Sequence, residues 1–197
     1  ANGSPIGDSA PVLMALDASL VLRRGAAARR VRLADFYTGY MKNLLATGEF
    51  VQAIEVPTGS RAAVRAYKIS KRFDCDISAV CAGLALELGD DGTVGAARLA
   101  FGGMAATVQR AARAEAALVG RAWSETAVVA AQAALASDFV PLTDMRASAA
   151  YRLQVAQNLL KRFWLETRAD APLAPSELSV WSAMSHVVAA PRAEAAP

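Results

Sequence analysis

Twelve residues, YKISKRFDCDIS (Tyr67 to Ser78), gather three cations (Lys68, Lys71, Arg72) and two carboxylates (Asp74, Asp76), with Cys75 between the acids. Charges packed this closely either pair off in solvent at a strand end or turn toward a charged or redox-active ligand. Asp8, in the turn-rich stretch SPIGDSAP, is a second candidate. Its side chain suits the N-cap of a short helix with Pro11 in the first turn and Val12, Leu13 and Leu16 along one face. Other chemistries lack their residues. Two cysteines, Cys75 and Cys81, do not complete a zinc or iron–sulfur site, and a single histidine, His186, leaves no catalytic triad worth building. No Walker loop, GxGxxG or HExxH occurs. Both cysteines are expected to be reduced, half-buried thiols of a cytoplasmic protein.

The elements that must position these groups follow from the pattern of the chain. With 197 residues, 54% of them hydrophobic and 20% charged, the chain is long enough for one or two domains with a buried core. No apolar run reaches the length of a membrane helix. The net charge of +3 is spread along the chain, and the few aromatics do not interleave with the arginines, which argues against nucleic-acid binding. The start at Ala1-Asn2-Gly3-Ser4-Pro5 reads as a piece of a longer polypeptide.

Residues 19–24 and 29–33 predict a hairpin, 33–42 a helical turn opening into a loop, and 49–56 a strand stopped by Pro57. The pattern restarts after 58–60. Strands are expected at 62–70, 77–88 and 94–101, with Asp91-Gly92 as a hairpin turn and Gly102-Gly103 as the exit. Helices follow at 110–119, ended by Gly120, at 125–137, capped by Ser124, and at 147–167, with Tyr151, Val155, Leu159, Phe163, Leu160 and Trp164 at helical spacing. The fold class is α+β: three antiparallel strands followed by three helices. A short helix over 178–188 is possible in the Ala/Pro-rich tail. The expected divisions are 1–60, 61–168 and 169–197.

In order along the chain, ANGSPIGD, DFYTGYMK, EFVQAIEVP, AYKISKRFDCDIS, ARLAFGGMA and DFVPLTDMRASAAYR resemble the flavoprotein part of the molybdenum hydroxylases. The likeness is nearest to the small subunit of bacterial xanthine dehydrogenases and runs to about Thr167. It implies the end of an FAD-binding α/β subdomain, then a domain of three strands and three helices. It implies FAD shared with an upstream half of the same subunit, and a large subunit holding the molybdenum cofactor. It also implies 2Fe-2S clusters elsewhere in the complex, and NAD as electron acceptor. Carbon monoxide and aromatic-acid dehydrogenases offer the same module, and a non-catalytic docking module is the reading of a different class.

The resemblance also assigns residues. Asn2 and Ser4 would pass the ribityl and phosphate region of FAD, and Asp8 would contact FAD. Val51 would pack on the isoalloxazine, where an ordinary core valine is the plainer reading. Lys68 would lie near that ring. A cation there stabilises the negative charge of reduced flavin and raises its potential by tens of millivolts. Lys71 reads as a solvated charge. Arg72, Phe73, Asp74, Cys75 and Asp76 would form a loop beside the ring at the NAD approach. Phe73 and Cys75 depart from the animal members of the family, which carry an arginine and an acid at those positions. Gly102-Gly103-Met104 and Asp144-Met145-Arg146 read as structural.

Overall fold

The computed structural model describes residues 3–59, 61–72 and 75–178. The chain opens with α1 (Ser9–Ala15), then the hairpin β1 (Ser19–Arg24) and β2 (Ala27–Arg32). A single turn, α2 (Leu33–Phe36), leads into a small hairpin of β3 (Tyr37–Gly39) and β4 (Lys42–Asn43), followed by β5 (Phe50–Glu55). These strands form a three-stranded antiparallel sheet in the order β2-β1-β5, with β3-β4 apart. β1 alternates as a half-buried strand should: Leu20 and Leu22 point in, Val21 and Arg23 out. The β2 edge carries Arg29, Arg30 and Arg32, which blunts it against stray pairing. Arg29 is clamped by both oxygens of Glu49 at 2.8 Å.

The second sheet contains β6 (Ala63–Ile69), β7 (Val80–Leu88), β8 (Val94–Gly102) and β9 (Gln109–Arg110), all antiparallel and in that order. Three helices follow: α3 (Ala112–Leu118), α4 (Glu125–Asp138) and α5 (Ala149–Thr167). The α+β class is as expected. The sheet differs by one strand, because β9 is only two residues long and carries no apolar alternation of its own. β7 starts at Val80, three residues later than the apolar run at 77, since the chain is still closing a loop there. Of the expected tail helix, only the turn α6 (Pro175–Leu178) falls among the described residues.

β7 is buried along almost its whole length because it is covered on both faces. The α3–α5 layer packs Leu118, Leu135, Leu160 and Phe163 against one side. α1 packs on the other, where a Cβ at Gly83 would overlap the Pro11 carbonyl, so only glycine lets the helix backbone lie this close. α4 and α5 start at Ser124 and Ser148, whose hydroxyls accept from the amides of Ala127 and Tyr151. Asp138, at the end of α4, accepts from the amides of Arg113 and Ala114 and so caps α3.

One face of α5 departs from the helical-spacing expectation. Tyr151 is 50% exposed, and the buried position in that turn belongs to its neighbour Arg152, at 2%. Arg152 Nη1 donates to the carbonyls of Ala79 and Gly103, and Nη2 donates to Asp144 Oδ1 at 2.7 Å. A guanidinium can be buried here because three acceptors converge on it. Burial pushes the Asp144 carboxyl up, but the amides of Arg146 and Ala147 and the Arg152 guanidinium outweigh it and hold it at about 2. Arg152 thus ties α5 to the ends of the sheet strands and Asp144 neutralises it, while Arg146 folds back on Asp144 at 3.5 Å.

Gly103 sits at φ +80, donates its amide to the Pro5 carbonyl at 2.8 Å, and has no room for a Cβ beside the Ala79 carbonyl. Gly103→Ala therefore combines left-handed strain with overlap and costs about 3 kcal/mol, a fall in Tm of about 6–12 °C. Gly95→Ala, with negative φ and no neighbour under 3.7 Å, stays within about 0.5 kcal/mol. Thermal unfolding of the two variants side by side checks this; equal Tm values would show that the strand exit is not held as described.

Candidate flavin-binding site

Asp8 precedes α1 but does not cap it. Its backbone is already helical (φ −70, ψ −25) and its side chain makes no cap hydrogen bond. The N-cap expectation is therefore wrong, because two donors, one on β6 and one in the loop that follows it, take the carboxylate. Lys68 Nζ donates to Asp8 Oδ2 at 2.5 Å, and Ser78 Oγ donates to Asp8 Oδ1 at 2.5 Å. The Cys81 thiol completes the contact on the Asp8 carbonyl at 3.5 Å.

The sheet explains why these residues converge. On β6, Tyr67 points into the core, so Lys68 points the other way, toward α1. Lys68 is in register with Cys81 on β7. The loop between the strands closes when the Ala79 amide donates to the Ile69 carbonyl, which brings Ser78 up beside Lys68.

Burial pushes the Asp8 carboxyl up, but hydrogen bonds from Lys68 and Ser78 together hold it below the usual carboxylate range. The Asp8 hydrogen bond raises Lys68. Both therefore stay charged at neutral pH, and both remain partly open, with side-chain exposures of 43% for Lys68 and 41% for Asp8. Cys81 is pushed up to about 12 by burial and by the Asp8 charge, so it is a closed thiol and not a nucleophile. Cys75 is exposed, so neither cysteine is half-buried as expected.

Beside this cluster, across α1, Ser9, Ala10 and Leu13 line a recess of about 180 Å³ together with Leu20, Leu33, Tyr37, Val51 and Ile54. Val51 is partly buried against the α1–β1 core, so it is both a packing residue and part of an open apolar wall. Small-molecule sites run to roughly 300–1,000 Å³, so this recess makes one wall of a site. The apolar lining begins at Ser9, next in the chain to the half-open Asp8–Lys68 pair, and an apolar face together with a cation and a carboxylate is chemistry compatible with a flat, polar-edged ring such as a flavin. The third element is the loop of Gly3 to Gly7. Gly3 (φ +75) lies against the backbone of Met41 and Lys42, and Ser4 Oγ accepts from the Ile6 amide at 3.5 Å. Asn2 lies outside the described residues.

The loop after β6 is organised by Asp76. Its carboxylate accepts from the amides of Lys71, Arg72 and Ile77 at 2.9–3.1 Å, with the Arg72 guanidinium 3.7 Å away. The amide of Arg72 is the main reason its carboxyl lies below the ordinary range. Asp76 is thus turned onto its own loop. Lys71 is not simply solvated: Nζ donates to the Met145 carbonyl at 2.6 Å. Phe73 and Asp74 lie outside the described residues. Among the described residues, no cluster of His, Cys, Asp or Glu could hold a metal, and no helix is long and apolar enough to cross a membrane. Ser78 and Cys81 were not among the expected site residues. Their role depends on α1 lying over the sheet, and nothing in the local pattern signals that.

Comparison with known proteins identifies both segments of the chain. Residues 65–167 match the CO dehydrogenase flavoprotein C-terminal domain, and residues 1–59 match the FAD binding domain in molybdopterin dehydrogenase. A nicotinate hydroxylase of Emericella nidulans is 36% identical over 83% of this chain and 13% of its own length. A xanthine dehydrogenase of the same organism is 32% identical over 90% of this chain and 13% of its own. The solved carbon monoxide dehydrogenase of Hydrogenophaga pseudoflava superposes with a TM-score of 0.76 at 30% identity, covering 82% of this chain and 56% of that one. The chain thus spans from about an eighth to just over half of the length of these relatives. With its second sheet and helices matched from within β6 to the end of α5, the chain belongs to the CO dehydrogenase flavoprotein C-terminal domain family, joined to a segment of the FAD-binding domain of molybdopterin dehydrogenases.

Proposed function

We propose that this chain supplies part of the FAD module of a xanthine dehydrogenase-type molybdenum hydroxylase. One observation carries the reading. Asp8 and Lys68, which the resemblance assigns separately to FAD, are 60 residues apart in sequence and meet at 2.5 Å in a half-open position. They come from the two matched segments, so a ligand touching both would sit where those segments join.

FAD, when bound, would supply the electron carriage between iron–sulfur clusters and NAD. The molybdenum cofactor, the 2Fe-2S clusters and the large subunit belong elsewhere in the complex, and an upstream half of the same subunit would complete the flavin site. The residues of this chain bind, orient and tune. Lys68 would hold a positive charge beside the ring. Asp8, acceptor-only when ionised, would take a hydroxyl or ring N–H of the cofactor while restraining Lys68. Val51 and its neighbours would exclude water from one face. Asn2 and Ser4 would line the approach of the phosphate and ribityl portion. The Arg72–Asp76 loop, with Phe73 and Asp74, would border the NAD side. A carbon monoxide dehydrogenase-type medium chain is the second reading, favoured by the match over 56% of that solved chain.

Lys68→Met removes positive charge from the flavin's surroundings and lowers its midpoint potential, whereas Asp8→Asn removes negative charge and raises it, each by tens of millivolts, about 30 mV per 1.4 kcal/mol of differential stabilisation. Spectroelectrochemical titration of the assembled enzyme reads both; shifts of the same sign, or none, would place the pair away from the flavin. Asp76→Ala releases three loop amides and is expected to depress NAD reduction relative to oxygen consumption. An unchanged ratio would separate this loop from the NAD path.

A further inference from the structure

We propose that Ser78 is a positioning residue of the flavin site: its buried hydroxyl aims the Asp8 carboxylate so that the opposite oxygen holds the Lys68 ammonium. The inference rests on the flavin reading above and adds to it a residue that the resemblance does not assign. Ser78 is 2% exposed, whereas Asp8 and Lys68 are both partly open. An open ion pair by itself is weakly held, because water competes and the lysine chain loses rotamer freedom.

The Ser78 hydroxyl is different. It is a donor that water does not reach, directed at a group that only accepts, at 2.5 Å. The Cys81 thiol pins the backbone of the same residue through the Asp8 carbonyl. Asp8 is therefore fixed from its buried side, and only Oδ2 is left to face the open side, where Lys68 meets it. The expected consequence is a binding site whose cation position is set by an uncharged residue behind it.

The test uses the assembled enzyme that carries this chain, stripped of FAD and titrated with FAD. Ser78→Thr and Ser78→Val add the same volume and differ only in the hydroxyl. Any steric penalty, read as a shared fall in Tm, cancels between them. Thr is expected to bind FAD within about twofold of the parent and Val about tenfold more weakly, the size of a lost charge-assisted hydrogen bond. In an Asp8→Ala background the Thr and Val variants should bind alike, since the carboxylate to be aimed is gone. Equal affinities in the Asp8 background, or a Val penalty that persists undiminished with Asp8→Ala, would overturn the positioning role while leaving the flavin reading standing. Failure of the parent enzyme to bind FAD would overturn both.

Discussion

A carboxylate half open to water and half sunk against a sheet can accept from both sides at once, and Asp8 does so. One oxygen takes a buried serine hydroxyl, the other a half-exposed ammonium, and the donors come from the β6–β7 loop and from β6 of the sheet that follows in sequence. This contact depends on α1 lying almost directly on β7, which Gly83 permits by having no side chain. It also depends on the strand exit at Gly103, whose amide holds the Pro5 carbonyl and so fixes the loop leading to Asp8. Any relaxation of α1 away from the sheet would separate the charges that the candidate site brings together.

The same geometry links core packing to the electrostatics of the site. Met14 on α1 packs with Leu22 and Phe36, all three fully or almost fully buried, each contributing about 1.5–3 kcal/mol of burial that holds the helix in place. On the far side of the sheet, Arg152 gathers the carbonyls of Ala79 and Gly103 and the Asp144 carboxylate. Ala79 follows Ser78 directly, so the guanidinium on α5 fixes the backbone next to the hydroxyl that aims Asp8. A network that looks purely structural from the helical side thus ends one residue from the serine that aims the proposed cofactor contact.

Much of the fold was legible because its signals are local. The hairpin pattern marked β1 and β2, Pro57 marked the end of β5, Asp91-Gly92 marked the β7–β8 turn, Ser124 marked the start of α4, and helical spacing marked α5. What was not legible was decided by partners distant in the chain. Asp8 has the composition of an N-cap and loses that role to Lys68 and Ser78, some sixty to seventy residues away. Arg152 displaces Tyr151 from the buried face of α5 because the carbonyls just before β7 and just after β8 await it. β9 is too short to have a period. Lys68, Asp8 and Val51 reached the candidate list through resemblance to a family. Ser78 emerged only from the packed structure, since a serine at a strand entrance has no pattern that separates a solvated hydroxyl from a buried one.

The most direct measurement is a structure of the assembled enzyme with FAD bound, read at one place. The account predicts that the isoalloxazine or its attached chain lies in contact, within about 4 Å, of both Lys68 and Asp8, with Ser78 still bonded to the carboxylate. FAD held elsewhere, with the Asp8–Lys68 pair facing only solvent or another subunit, would contradict it.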